Sequence, residues 1–186
     1  MEKLKLIVLF GPAGAGKDYI LKKALEEIPQ LHKPVLYASR PMREGEVDGI
    51  NYNFITAEEF SEKVISGELI EASVFNHWGY GSSLDSYSKD KINILALGID
   101  HLRDFMEFHS NEFEIHPVLV LASDKTRLLR QLNREAEPNV DEIIRRFLSD
   151  KKDYEKIDLN HLILPNETND QVNYCIERLR TLVESI

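Results

Sequence analysis

Hydrophobic and polar positions alternate along the chain in blocks that change period several times. Leu4 to Phe10 is a short, nearly continuous apolar run ending at Gly11-Pro12, which predicts a strand buried on both faces. From Asp18 to Ile28 the apolar positions are Ile20, Leu21, Ala24, Leu25 and Ile28, a helical spacing closed by Pro29. Pro34 to Tyr37 reads as a second short strand. Residues 39–87 then change character: Gly45, Gly49, Gly67, Gly79 and Gly81 punctuate short runs such as Tyr52-Asn53-Phe54-Ile55. This stretch is expected to be a small inserted β-rich region.

The alternation of strand and helix resumes at residue 88. Strands are expected at Ile92–Leu97, Pro117–Ala122 and Leu162–Leu164, and helices at Asp100–Phe108, Lys125–Asn133, Val140–Ile157 and Asn169–Val183. Glu135 to Asn139 is polar and carries a proline, which marks a loop. Five strands separated by helices imply a parallel sheet in an α/β fold, with ligands at the strand C-termini.

Composition narrows the class. A chain of 186 residues is close to one domain on a prior of about 150 residues, and 42% hydrophobic residues suffice for a full core. The formal charge of −9 argues against a nucleic-acid polymer as partner, which would require a basic face. The single cysteine, Cys175, excludes a disulfide framework and is expected in the core. Six histidines show no ligand spacing. The N-terminal apolar run is too short for a leader and no segment has the length of a membrane span, so a cytoplasmic protein is expected. Charge is unevenly placed, because residues 124–152 hold eight basic and six acidic side chains on an otherwise acidic chain.

The strongest local signal is Gly11-Pro12-Ala13-Gly14-Ala15-Gly16-Lys17, which follows a strand and opens a helix. It satisfies the first seven positions of the P-loop pattern, in which backbone N–H groups and a helix N-terminus cradle phosphate oxygens. Lys17 would reach the β- and γ-phosphates of ATP, and the loop residues with Asp18 and Tyr19 would form its site. The ordinary alternative is a glycine-rich strand–helix turn. The eighth position, where a hydroxyl usually meets Mg²⁺, is Asp18; a carboxylate also suits that hard cation.

The run Ser39 to Phe54, SRPMREGEVDGINYNF, resembles the nucleotide-binding segment of guanylate kinases, and Gly67-Glu68-Leu69-Ile70-Glu71 with Gly79-Tyr80-Gly81-Ser82 is similar to that family's second substrate motif. With the P-loop in the same order, the resemblance covers residues 4–166. It implies a P-loop NTPase three-layer fold with a core (1–38 and 88–186), an insertion that binds the monophosphate (39–87) and a helical lid (about 134–145). It further implies ATP-dependent phosphorylation of GMP or dGMP by a monomer or homodimer. Arg40 and Arg43 would grip the monophosphate with Tyr52 and Tyr80, while Glu71 and Ser82 would read guanine. Arg130, Arg134 and Arg146 match the lid arginines and Asn166 the residue beside adenine. Lys17, Arg43, Arg134 and Arg146 would act on the transferring phosphoryl group. Arg127, Lys151 and Lys152 read as a solvated charged face.

Several positions depart from the family pattern. Two aspartates usual after the middle strand are missing from Leu95-Ala96-Leu97-Gly98-Ile99-Asp100, a serine before the arginine motif is Leu36, and the lid Arg-Gly is Arg134-Glu135. Gly-Lys-Asp without that aspartate pair also resembles ribose 1,5-bisphosphate phosphokinases. A broader deoxynucleoside monophosphate kinase and a non-catalytic phosphopeptide-binding module remain as further alternatives.

Overall fold

The computed structural model describes residues 2–75, 77–134, 136–155, 157 and 162–186. Strands β1 (Leu4–Phe10), β2 (Leu31–His32), β7 (Ile92–Leu97), β8 (Phe113–Leu121) and β9 (Leu162–Pro165) form one sheet in the order β2-β7-β1-β8-β9, parallel throughout. Strand β1 lies at its centre, with Ile7 opposite Ile94 on one side and His116 on the other. Its alternating side chains serve two cores. Ile7 and Leu9 pack with Ile20, Leu21 and Ala24 of α1 (Lys17–Glu27) and with Val172, Cys175, Ile176 and Leu179 of α6 (Asn169–Ser185). Leu6, Val8 and Phe10 pack on the other face with Leu102 and Phe105 of α3 (Ile99–Phe108). Burial of each such aliphatic side chain contributes about 1.5–3 kcal/mol, so the central strand is anchored from both sides. The result is the expected three-layer α/β arrangement. The Cys175 thiol is buried, donates to the Pro165 carbonyl at 3.1 Å, and is pushed up to about 11 by burial.

A second sheet carries the inserted region. It contains β3 (Tyr37–Ala38), β4 (Asn53–Phe54), β5 (Glu71–Phe75) and β6 (Trp78–Ser82) in the order β4-β3-β6-β5. Strand β3 runs parallel to β4 and antiparallel to β6. Pro34–Tyr37 was expected as a core strand; the second core strand is instead β2, and Tyr37 opens the small sheet. The reason is local: a two-residue strand leaves almost no periodicity to read. The region also holds an unexpected helix, α2 (Ala57–Ile65), whose Thr56 side chain accepts from Glu59 N–H while Glu59 returns a bond to Thr56 N–H at 2.7 Å. This capping box satisfies two otherwise orphaned donors, and Phe60 of the helix is buried against β6.

Strand β8 begins four residues before the expected Pro117. Among the described residues β9 pairs only from Val118 onward, so upstream of it β8 has one neighbour and tolerates a proline. Helices α4 (Asp124–Leu132) and α5 (Val140–Tyr154) flank the C-terminal ends of the central strands. The expected helix to Ile157 and the loop from Glu135 include Lys156 and Glu135, which lie outside the described residues.

Candidate active site

Between β1 and α1 the chain turns through Gly11–Lys17, with φ 79° at Gly14 and 90° at Gly16. At Gly14 a side chain would be excluded twice. The backbone is left-handed, and a Cβ would come within 2.5 Å of the Arg127 carbonyl oxygen. Four side chains from distant elements hold the loop from outside. The Asn166 amide donates to the Ala15 carbonyl at 2.8 Å, and Arg130 reaches the Gly14 and Ala15 carbonyls at 3.4 and 3.3 Å. Arg127 Nε donates to the Ala13 carbonyl at 3.0 Å, while Asp150 Oδ2 accepts the Ala13 N–H at 2.7 Å. Tyr154, one turn beyond Asp150 on α5, hydrogen-bonds the Gly11 backbone; burial holds its phenol above the ordinary range.

Lys17 folds back over this loop and donates to the Gly11 and Pro12 carbonyls at 2.6 and 3.3 Å. Burial lowers its pKa from the usual lysine range, opposed by Asp18 and Asp150 and reinforced by Arg146 and Arg127. Arg146 therefore sits within electrostatic reach of the loop although its side chain is exposed. Asp18 and Tyr19 are exposed on the first turn of α1, and Asp18 contributes to the electrostatic surroundings of Tyr52 in the small-sheet region. Arg134 lies exposed just beyond α4, away from the loop's hydrogen-bonded contacts.

The small sheet brings together a second set. Arg40 is 7% exposed and forms a two-pronged ion pair with Glu46, at 2.5 and 2.6 Å. Its guanidinium stacks 5.3 Å from the Tyr52 ring centroid and 5.2 Å from that of Phe54, and it hydrogen-bonds Tyr80. The Tyr52 and Tyr80 rings meet edge-on at 6.0 Å. Glu46 is pulled down to about 2 by Arg40 and by the Arg43 backbone N–H. The Arg43 side chain is exposed rather than folded into this cluster.

Glu71 and Ser82 are cross-strand partners on β5 and β6 and hydrogen-bond one another. Ser82 is fully buried and accepts from the Tyr87 hydroxyl at 3.1 Å. Burial raises the Glu71 pKa, moderated by His101 and His109 from the α3 side. The positions Ala96 and Gly98, where the family pattern has aspartates, close β7 and precede α3 on this side.

Sequence reasoning missed the outer braces of the loop. Arg127 was expected on a solvated face, yet it is 4% exposed. It is enclosed by Asp124 at 3.2 Å, Asp150 at 2.9 Å and the Phe147 ring at 4.9 Å. Lys151 and Lys152 are exposed as expected, Lys151 pairing with Asp124 at 2.9 Å. A readable signal did exist: Arg146, Asp150 and Tyr154 recur at i, i+4 and i+8, one polar face of α5.

A glycine-turned loop capping a central parallel strand, followed directly by a helix, defines a P-loop phosphate-binding α/β protein. The guanylate kinase family model matches residues 3–186, and the chain belongs to that family. Stretches of it are similar to the guanylate kinases of Chlorobium luteolum (43% identity over 77 residues, 40% of this chain and 39% of that one) and Helicobacter pylori (46% over 79 residues, 42% and 38%). Guanylate kinase of Legionella pneumophila matches at 40% over 100 residues, 53% of this chain and 46% of that one. The chain thus spans less than half the length of the curated relatives it matches. The crystal structure of guanylate kinase from Anaplasma phagocytophilum shares the fold, with a TM-score of 0.67 and 19% identity, over 100% of this chain and 87% of that one. No helix among the described residues is long and apolar enough to cross a membrane.

Proposed function

We propose that this protein transfers the γ-phosphoryl group of ATP to the phosphate of GMP or dGMP, giving ADP and the nucleoside diphosphate. The observation that carries this reading is the buried Arg40 with Tyr52 and Tyr80, set on the small sheet across from the P-loop and its Lys17. The acceptor phosphate would meet the Arg40 guanidinium and the two phenol groups, with Arg43 closing from the exposed side. Glu71, ionised, accepts hydrogen bonds only, which selects a base with adjacent N–H donors as in guanine; Ser82 holds that carboxylate. The core (1–38, 88–186), the monophosphate-binding region (39–87) and the lid (about 134–145) would close over the two nucleotides.

In such a transfer the protein positions two anions and offsets their repulsion. Lys17 would leave the Gly11 and Pro12 carbonyls for the ATP phosphates, joined by loop N–H groups, Arg130, Arg134 and Arg146. Asn166 braces the loop and would stand beside the adenine. Mg²⁺ would neutralise the phosphate oxygens. Asp18, an exposed carboxylate on the first turn of α1 directly after Lys17, would be a protein ligand to it. That fits a cation that keeps water and phosphate ligands. The nucleotides are the expected partners of a cytoplasmic monomer or homodimer.

ADP release with ATP, Mg²⁺ and a panel of monophosphates plus ribose 1,5-bisphosphate tests the reading. GMP and dGMP are expected to lead. Absence of turnover with every acceptor would overturn it, and preference for the sugar bisphosphate would replace the acceptor.

A further inference from the structure

We propose that Arg127 and Asp150 are positioning residues for this transfer, a buried strut that clamps the peptide groups on both sides of Ala13 and seats helix α5 on the phosphate loop. The inference rests on the kinase reading above. Asp150 Oδ2 accepts from Ala13 N–H at 2.7 Å and from Arg127 Nη2 at 2.9 Å. Arg127 Nε then returns to the Ala13 carbonyl at 3.0 Å, which closes a ring of three hydrogen bonds around one loop residue. The guanidinium fork holds its donors in fixed geometry, so one side chain serves the carboxylate and the carbonyl at once with set directions.

Three further observations point to positioning rather than general stability. Arg127 is buried and Asp150 half-buried, and such a pair adds little stability over apolar packing of equal volume, which leaves geometry as the reason for its place at the loop. Helix α5 carries Arg146 one turn before Asp150, so the carboxylate's seat on Ala13 sets where Arg146 stands relative to Lys17. Finally, Gly14 is packed against the Arg127 backbone itself, so α4 lies directly on the loop. Arg127 also lies on the Phe147 ring, tying α4 to α5 through the same side chain. Loop, α4 and α5 are thereby locked together at the one residue that precedes the phosphate-facing glycines.

The test is a double-mutant cycle with Arg127→Met and Asp150→Ala, read as kcat and separate KM values below the Tm of each variant. Each single change is expected to lower kcat about tenfold to a hundredfold and to raise the KM for ATP, with the KM for GMP within about twofold. The double variant is expected to be no worse than the weaker single, because one strut is lost in each case. Asp150→Asn keeps an oxygen that can accept both hydrogens and is expected to restore most of kcat. If Arg127→Met does not fold, Arg127→Lys, which keeps the charge without the fork, is expected to show the same kcat loss. Variants with parental kcat and ATP KM, or with a lowered Tm alone, would overturn the strut and leave the kinase reading intact. A parent that phosphorylates no acceptor would overturn that reading, and the strut with it.

Discussion

The phosphate loop and the small sheet are built by opposite means. The loop is over-determined: Asn166, Arg130, Arg127 and Asp150 reach it from β9, α4 and α5, and a central strand buried on both faces supports it. The small sheet has two-residue strands at β3 and β4, and its acceptor cluster hangs on a single buried arginine with one acid. A rigid loop suits a site where N–H groups must already point at phosphate, since no reorganisation is then needed during transfer. Under the proposed transfer, a lightly built sheet suits a region that would close on a second nucleotide.

Four measurements would break or sharpen that contrast. The largest effect is expected from Lys17→Ala, which should lower kcat about 100- to 1,000-fold while the thermal midpoint changes little, because among the described residues the lysine's hydrogen bonds go to its own loop. Gly14→Ala should destabilise the fold by about 1–3 kcal/mol in urea unfolding, since the left-handed backbone and the Arg127 carbonyl both resist a Cβ. A substitution on the sheet side should act differently. Glu46→Gln leaves the buried Arg40 without its ionic partner, and is expected to raise the KM for GMP about threefold to tenfold with kcat nearly kept.

The smallest effect concerns pH. Burial raises the Glu71 pKa above the ordinary carboxylate value, so on acidification Glu71 takes up its proton earlier than an exposed glutamate would. The KM for GMP should then climb from a pH above 4.5, the usual glutamate value, whereas the KM for ATP should stay flat. A parallel rise in both would place the titration elsewhere. Stability has the reverse sign at this residue: ionised Glu71 is the disfavoured form in the fold, so its contribution weakens as pH rises through its pKa. At Glu46, held down to about 2, stability is present above the usual glutamate value and is lost as pH falls toward 2.

Much of this was legible in the chain itself. Leu4–Phe10 could be placed residue for residue because its apolar run is continuous and ends at a glycine turn. The loop was legible because its chemistry is carried by consecutive residues, Gly11 to Lys17. The convergence of Arg40, Tyr52 and Tyr80 was inferred through the family resemblance, and the aromatic stacking in the fold follows it. Helix α2 was missed although Thr56 and Glu59 spell a capping box, because its glycine-rich flanks weigh toward strands and turns. The pairing of Arg40 with Glu46 was not legible, because the two stand six positions apart on a segment without regular period; the fold makes the arginine both buried and paired.

What the sequence by itself determined is whatever depends on neighbouring residues: the buried central strand, the helix periods, the glycine-turned loop and its lysine. Backbone sterics and side-chain periodicity act over a few residues and leave their record there. Only the tertiary structure decided which charges serve the loop. Arg127 and Asp150 are 23 positions apart, and Ala13 lies more than a hundred residues from either, so no local pattern joins them. Burial joined them. Taking a guanidinium out of water demands a partner within hydrogen-bond distance, and the packing of α4 against α5 beside the phosphate loop supplied one.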